Sequence, residues 1–135
     1  MKKRTIVILS MLLSLLAVPG CEKQTDSGKG YLVGKISIGP LCPVQTDPPN
    51  PGCLPTAETY KAYPVSIWTS DDKTKISLIT PALDGTFRVE IGPGNYLVKL
   101  DNGQNSATET NLPAEVAVFP QQDTRLDISI DTGIR

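Results

Sequence analysis

The sequence predicts an all-β protein, a sandwich of seven antiparallel strands that follows an N-terminal export signal. Seven short segments after residue 20 alternate apolar and polar residues with a period of two, as strands with one buried face do. Turn formers such as Asp84-Gly85 and Pro93-Gly94 separate them at regular spacing, which is typical of a sandwich. No segment after residue 20 has sustained helical periodicity, so no helix is expected.

The strands are expected in order along the chain at residues 31–38, 65–68, 75–80, 87–91, 96–100, 116–119 and 126–130. Their alternating apolar positions form the predicted core, which is large enough for a small independent domain. These positions are Leu32, Ile36, Ile38, Val65, Ile67, Ile76, Leu78, Phe87, Val89, Ile91, Tyr96, Val98, Leu100, Val116, Val118, Leu126, Ile128 and Ile130.

The first 20 residues have the pattern of an export signal. Three basic residues at 2–4 precede an apolar run over 5–18, which is shorter than the roughly 20 residues of a membrane span. Gly20-Cys21 ends the run, and the whole segment resembles a bacterial lipoprotein signal. That resemblance implies removal of residues 1–20 and acylation of Cys21, which would bind membrane lipid. An ordinary secretory signal with a chance cysteine, or an uncleaved anchor, is the alternative.

The remaining chain divides into a tether and one domain. Residues 21–30 are polar and contain glycine, so they are expected to form a flexible tether, and residues 31–135 form the domain. Without the three basic residues of the signal, the chain has 10 basic and 14 acidic residues, a net charge of −4. Nucleic acid is therefore not an expected partner. The domain is expected outside the cytoplasm, anchored to the cell membrane or the outer membrane.

A long proline-rich loop is expected at 39–57, because its six prolines cannot take part in strand pairing. It contains Cys42 and Cys53, which in an exported domain are expected to form a disulfide. Two free thiols or half of a metal site are the alternatives. Since the chain has no histidine, a zinc site is improbable, and no metal or cofactor is expected. Such a loop can be functional, or the disulfide can simply close an insertion.

Residues 80–101 resemble the carboxypeptidase regulatory-like (transthyretin-like, prealbumin-like) domains, whose repeated core is a strand, a D-G-x-F turn, a strand, a P-G-x-Y turn and a strand. The matching residues are Asp84, Gly85, Phe87, Pro93, Gly94 and Tyr96. The resemblance covers about residues 31–135 and implies a seven-stranded transthyretin-like (Ig-like) sandwich. It also implies a folding, spacing or binding module, although its motifs are structural and carry little functional information.

No enzyme activity is expected. Transthyretin-like hydrolases use histidines and a C-terminal signature, and this chain has no histidine and ends Asp131-Thr132-Gly133-Ile134-Arg135. Without histidine the commonest general base is missing, and no motif indicates a serine or cysteine nucleophile.

The expected function is that of a lipid-anchored, non-enzymatic binding or spacer module with a possible envelope protein as partner. Trp68, Tyr60, Tyr63 and Tyr31 fall on outward or loop positions, and exposed aromatic residues are enriched at interaction hot spots. Alternatively, they cover the open face of the sandwich or pack under the proline loop. A different function is protease inhibition through the Cys42–Cys53 loop, since a preorganised loop binds with little loss of entropy.

Two further patterns have structural interpretations. Lys35 and Asp127 lie on strands that in related adhesin repeats are joined by an isopeptide bond, but their parity predicts solvated side chains and a surface salt bridge. Asp71, Asp84 and Asp101 sit in turns, where they are expected to cap the backbone and not to bind calcium.

Overall fold

Two sheets and one short helix make up the computed structural model, which describes residues 28–101 and 109–135. The strands are β1 (Gly30–Gly39), β2 (Val65–Thr69), β3 (Lys75–Ile79), β4 (Thr86–Ile91), β5 (Gly94–Leu100), β6 (Glu109–Thr110), β7 (Ala114–Val118), β8 (Asp123–Arg125) and β9 (Ile128–Asp131). The helix α1 spans Ala57–Ala62, and Pro51–Cys53 forms a 3-10 turn. The predicted all-β sandwich is confirmed.

The first sheet has the order β4-β1-β9-β6, and β8 pairs with β1 ahead of β9. Both β8 and β9 run parallel to β1, so the expectation of a wholly antiparallel sandwich is wrong here. The second sheet, β3-β2-β5-β7, is antiparallel throughout. Each of the seven predicted segments overlaps a strand. The described residues nevertheless form nine strands, because the short segments β6 and β8 had no visible alternation.

The helix corrects the expectation that none would form. Thr56 and Thr59 make a capping box at its start: the Thr56 side chain accepts from the Thr59 amide at 3.3 Å, and the Thr59 hydroxyl accepts from the Thr56 amide at 3.0 Å. These bonds satisfy amide groups that a helix start leaves without partners. At six residues, α1 is too short to show a helical repeat in the sequence.

The core lies between the sheets. Its buried members on the strands, as predicted, are Leu32, Ile36, Ile38, Val65, Ile67, Phe87, Ile91, Val98, Val118, Ile128 and Ile130. Val89, Tyr96, Leu100, Val116 and Leu126 pack against them partly buried.

The predicted burial of β3 is wrong. Ile76 and Leu78 are exposed, at 43% and 49%, and Ile79 is buried instead. Ile79 and Ser77 pair with the buried Val65 and Ile67 and so lie toward the core, which leaves Leu78 and Ile76, of the opposite parity, pointing outward. The irregularity in the pairing comes after these pairs, between Ile67 and Trp68.

The sandwich has two distinct ends. The entry end is the end at which β1 begins, where Gly30 lies against Val118 and the Phe119 carbonyl. Gly39, at the other end of β1, marks the distal end, which also holds the proline-rich loop and α1. The ten residues of β1 span about 30 Å at the usual rise of a strand. In the described ranges, no helix is long and apolar enough to cross a membrane.

Candidate functional site: the distal end of the sandwich

Helix α1 places two tyrosines in the core. Tyr60 and Tyr63 are each only 9% exposed, so the expectation that they lie outward as binding residues is wrong. The helical turn that the sequence pattern did not show directs both side chains inward. Trp68 and Tyr31, by contrast, are partly buried on the outer faces of the two sheets.

Tyr60 links the helix to the segment that follows β3. Its hydroxyl donates to the Leu83 carbonyl at 3.3 Å. Burial, with a smaller contribution from the charge of Asp84, raises the pKa of this phenol above its ordinary value. Tyr60 is therefore a protonated donor at neutral pH, and the two segments it joins form the walls of a groove.

That groove, the distal cleft, has a volume of about 350 Å³. Its lining is mainly apolar, with Pro64 and the end of β3 on one side and Leu83 at the rim. Leu83 is 71% exposed and Leu78 49% exposed, which is unusual for two large aliphatic side chains so close together. Lys61 is the one ionisable side chain with a full charge among the lining residues. An apolar cleft with few polar groups is the usual form of a small-molecule site.

The disulfide ring lies at the same end of the domain, and Leu54 and Pro55, which follow it, line a neighbouring groove with Tyr60 and Leu83. Cys42 and Cys53 are bonded, with an S–S distance of 2.05 Å, which confirms the predicted pairing. The Asn50 side chain accepts from the Gly52 amide at 2.9 Å, and the Thr46 hydroxyl donates to the Pro48 carbonyl at 3.0 Å. The ring is thus fixed by local bonds, and Val44 within it is 72% exposed. Its predicted role as a protease-binding loop stays a prediction.

Trp68 belongs to a hydrogen-bonded chain on the second sheet. Its indole N–H donates to the Ser66 hydroxyl at 2.7 Å, and Ser66 donates to Asp101 at 2.5 Å. Lys75 pairs with the other oxygen of Asp101 at 2.5 Å. Partial burial acts to raise the pKa of Asp101, but the bonds from Lys75 and Ser66 outweigh it, and the pKa is lowered.

One face of the Trp68 ring is already occupied. The Lys99 ammonium lies 3.9 Å from the ring centroid and pairs with Asp72 at 2.5 Å. Tyr31 is covered similarly by Arg88, also at 3.9 Å, and Arg88 pairs with Asp123 at 2.7 Å. These contacts favour the alternative interpretation, in which the aromatic residues cover the open faces of the sheets.

The remaining predicted interactions are surface contacts. Asp127 accepts from the Lys35 backbone amide at 3.0 Å and pairs with Arg125 at 3.0 Å, so the expected Lys35–Asp127 salt bridge is wrong. Turn capping is confirmed for Asp71, which accepts from Thr69 and from the Lys73 amide.

Asp84 also caps its turn, accepting from both the amide and the hydroxyl of Thr86. Within residues 28–101 and 109–135, no three His, Cys, Asp or Glu side chains are grouped as metal ligands. Cys21, the predicted lipid site, lies outside the described residues.

The distal cleft is the feature that the sequence analysis missed. Two features of the sequence indicate its walls. The Thr56-x-x-Thr59 capping box marks the start of a helix, and the prolines at 64 and 81 end the neighbouring segments. The cleft depends on contacts between parts of the chain about 20 residues apart, which a local pattern does not reveal.

Comparison with protein-family models and with curated proteins gives no match. Among solved structures, the GBS52 minor pilin of Streptococcus agalactiae is 13% identical, with a TM-score of 0.51 over 78% of this chain and 45% of the pilin. A DUF3823 family protein from Parabacteroides merdae is 18% identical, with a TM-score of 0.49 over 79% of this chain and 48% of that protein.

The chain spans about half the length of these two structures. At this identity, the likeness to the minor pilin supports a β-sandwich fold and nothing more specific. Membership of the carboxypeptidase regulatory-like family stays a prediction.

Proposed function

We propose that this chain is a lipid-anchored cell-envelope protein acting as a non-enzymatic binding or spacer module. Acylated Cys21 would bind the lipid of the cell membrane or outer membrane, and the sandwich would lie outside the cytoplasm. The observation that carries the proposal is that the two ends of the domain differ. The chain enters at one end, while the apolar cleft and the disulfide ring are at the other, about 30 Å away.

The disulfide supports a location outside the cytoplasm, because such bonds persist in oxidising compartments. The distribution of apolar side chains supports a presented surface. Val44, Leu54, Leu78 and Leu83 are between 49% and 72% exposed, and all four lie at the distal end. Exposed apolar residues grouped in this way mark interaction sites.

Metabolic labelling tests the anchor. Cells that make the full chain are grown with an alkyne analogue of palmitate, and the protein is isolated and analysed by peptide mass spectrometry. We expect the label on an N-terminal peptide that begins at Cys21, together with loss of residues 1–20. Cys21→Ser should abolish both the label and the cleavage, because the thiol is the acceptor.

Cys53→Ser is the matched control, since it removes another cysteine and leaves the signal intact. Cleavage at a residue other than 20, or an unlabelled mature chain in the soluble fraction, would contradict the anchor and favour an ordinary secretory signal.

The exposed ring supports a second candidate function, protease inhibition. Within the ring, Val44 is the most exposed of the large apolar side chains in the described residues. Assay of the purified chain against a panel of serine proteases at micromolar concentration should show inhibition that Val44→Asp removes. Absence of inhibition across the panel would exclude this candidate.

A further inference from the structure

We propose that the distal cleft binds an amphiphilic carboxylate: an aliphatic acyl chain with a carboxylate at one end, as in a medium-chain fatty acid. The proposal rests on the proposed function only in taking the domain as a binding module and not a spacer. The acyl chain would lie between α1 and residues 78–83, and the carboxylate would pair with Lys61.

The shape and chemistry of the lining favour an aliphatic ligand. Leu78, Ile79, Leu83 and Pro64 supply aliphatic surface, and the cleft of about 350 Å³ is within the usual range for small-molecule sites. Tyr60, the aromatic residue of the lining, has its hydroxyl bonded to Leu83. Directional groups are therefore few, and burial of apolar surface would provide most of the binding free energy.

The charge at the rim favours an anion. Lys61 lines the cleft, and its present partner Glu58, at 2.8 Å, does not. The side chains of this pair are 70% and 79% exposed, so the pair is weak and easily exchanged. A ligand carboxylate at the rim would replace Glu58 as the partner of Lys61.

If the ligand takes the place of Glu58, the charges of Lys61 and Glu58 have opposite effects on carboxylate binding. Removing the charge of Lys61 should weaken carboxylate binding, whereas removing the charge of Glu58 should strengthen it, because a competitor and a repelling group are both lost. An uncharged ligand of the same length should respond to neither substitution. A general apolar surface would not produce this pattern.

Photo-crosslinking of the full chain tests the proposal. Unfractionated lysates of cells that make the full chain, which retain both membrane-bound and soluble protein, are incubated with decanoic acid carrying a diazirine and an alkyne, or with the matching alcohol, and then irradiated. Light-dependent adducts are located by peptide mass spectrometry. We expect adducts of the acid on residues 57–64 and 78–83.

The variants are compared at a probe concentration below saturation. We expect Lys61→Gln to lower the yield of the acid adduct about fivefold and Glu58→Gln to raise it about twofold. Ala82→Trp should abolish it by filling the cleft, because Ala82 is exposed and part of the lining. Val44→Trp is the matched control, since Val44 is exposed but outside the cleft.

Adducts spread over the whole surface would overturn the proposal, as would equal yields for Lys61→Gln, Glu58→Gln and the unsubstituted chain. A melting temperature for each variant shows whether a loss reflects unfolding. The crosslinking result does not depend on the anchor. Labelling at Cys21 occurs in growing cells without light, whereas the cleft adduct forms on irradiation without metabolism.

Discussion

Gly85 is the residue at which the smallest change should disturb both core and cleft. Its φ is +86°, and a Cβ there would meet the Ile36 carbonyl oxygen and lie 3.1 Å from the Tyr60 hydroxyl. Gly85→Ala should lower the free energy of unfolding by about 1–3 kcal/mol, because the side chain is strained and must also displace its neighbours.

Chemical denaturation followed by tryptophan fluorescence measures this change. Gly52→Ala is the control, since the nearest atom to a Cβ there is the Asn50 side-chain oxygen at 3.5 Å and its φ is not in the positive range. Equal free energies of unfolding for the two variants would mean that the positive φ of Gly85 does not require glycine.

Residue-level prediction succeeded where parity alone decides burial. Leu32, Ile36 and Ile38 alternate along β1 and are buried as predicted. It failed for Tyr60 and Tyr63, because a six-residue helix reorients side chains without leaving a repeat in the sequence. The indole of Trp68 was correctly expected on an outer face, but its bond to Ser66 and its cover by Lys99 depend on neighbouring strands.

At the scale of elements, the disulfide ring should be a separable source of stability. Cys42 and Cys53 are 11 residues apart, and the chain-entropy account gives about 3 kcal/mol for a loop of this size. The double substitution Cys42→Ser/Cys53→Ser should lower the free energy of unfolding by roughly that amount. Denaturation with and without reductant measures it: the reductant should destabilise the unsubstituted chain and leave the double variant unchanged.

The strands that were predicted best are those joined by unambiguous turns. The turn at 92–95 defines β4 and β5, and Asp84-Gly85 defines the start of β4. β3 lies where the sequence predicts it but turns its other face to the core, because Val65 and Ile67 pair with Ile79 and Ser77, and the local pattern of β3 does not reveal that pairing. The parallel pairing of β8 and β9 with β1 is a matter of topology, which periodicity does not encode.

At the scale of the whole molecule, several surface carboxylates link stability to pH. The hydrogen bond from Thr69 lowers the pKa of Asp71, that from Thr86 lowers the pKa of Asp84, and that from Arg135 lowers the pKa of Asp131. A carboxylate with a lowered pKa in the folded state binds protons less readily than in the unfolded state. The stability it contributes is complete above its ordinary pKa of 3.8 and is lost as the pH falls below that value.

The melting temperature should therefore be nearly constant from pH 7 to pH 5 and begin to fall below about pH 4. Asp84→Asn should have a lower melting temperature at pH 7 and a smaller fall on acidification, because the group no longer titrates. An equally steep fall in this variant would show that Asp84 does not contribute to the acid sensitivity. Glu115→Gln, an exposed carboxylate for comparison, should change the profile little.

The two ends of the domain also determine how two copies can meet. β4, an edge of the first sheet, carries the charges of Arg88 and Glu90, which discourage strand pairing. β3, an edge of the second, has one charged residue, Lys75, which pairs with Asp101, and it exposes Ile76 and Leu78. Antiparallel pairing of β3 with β3 of a second copy would turn that copy end over end, so that the two entry ends face away from each other.

A cysteine at Ser77, the centre of β3, should therefore cross-link to the same cysteine in a second copy of the chain on mild oxidation, and absence of this cross-link would exclude the pairing. Ser129→Cys, exposed on the other sheet, is the comparison. In such a pair the two entry ends lie at opposite ends, so copies that meet through β3 would approach from opposite directions and not side by side in one orientation.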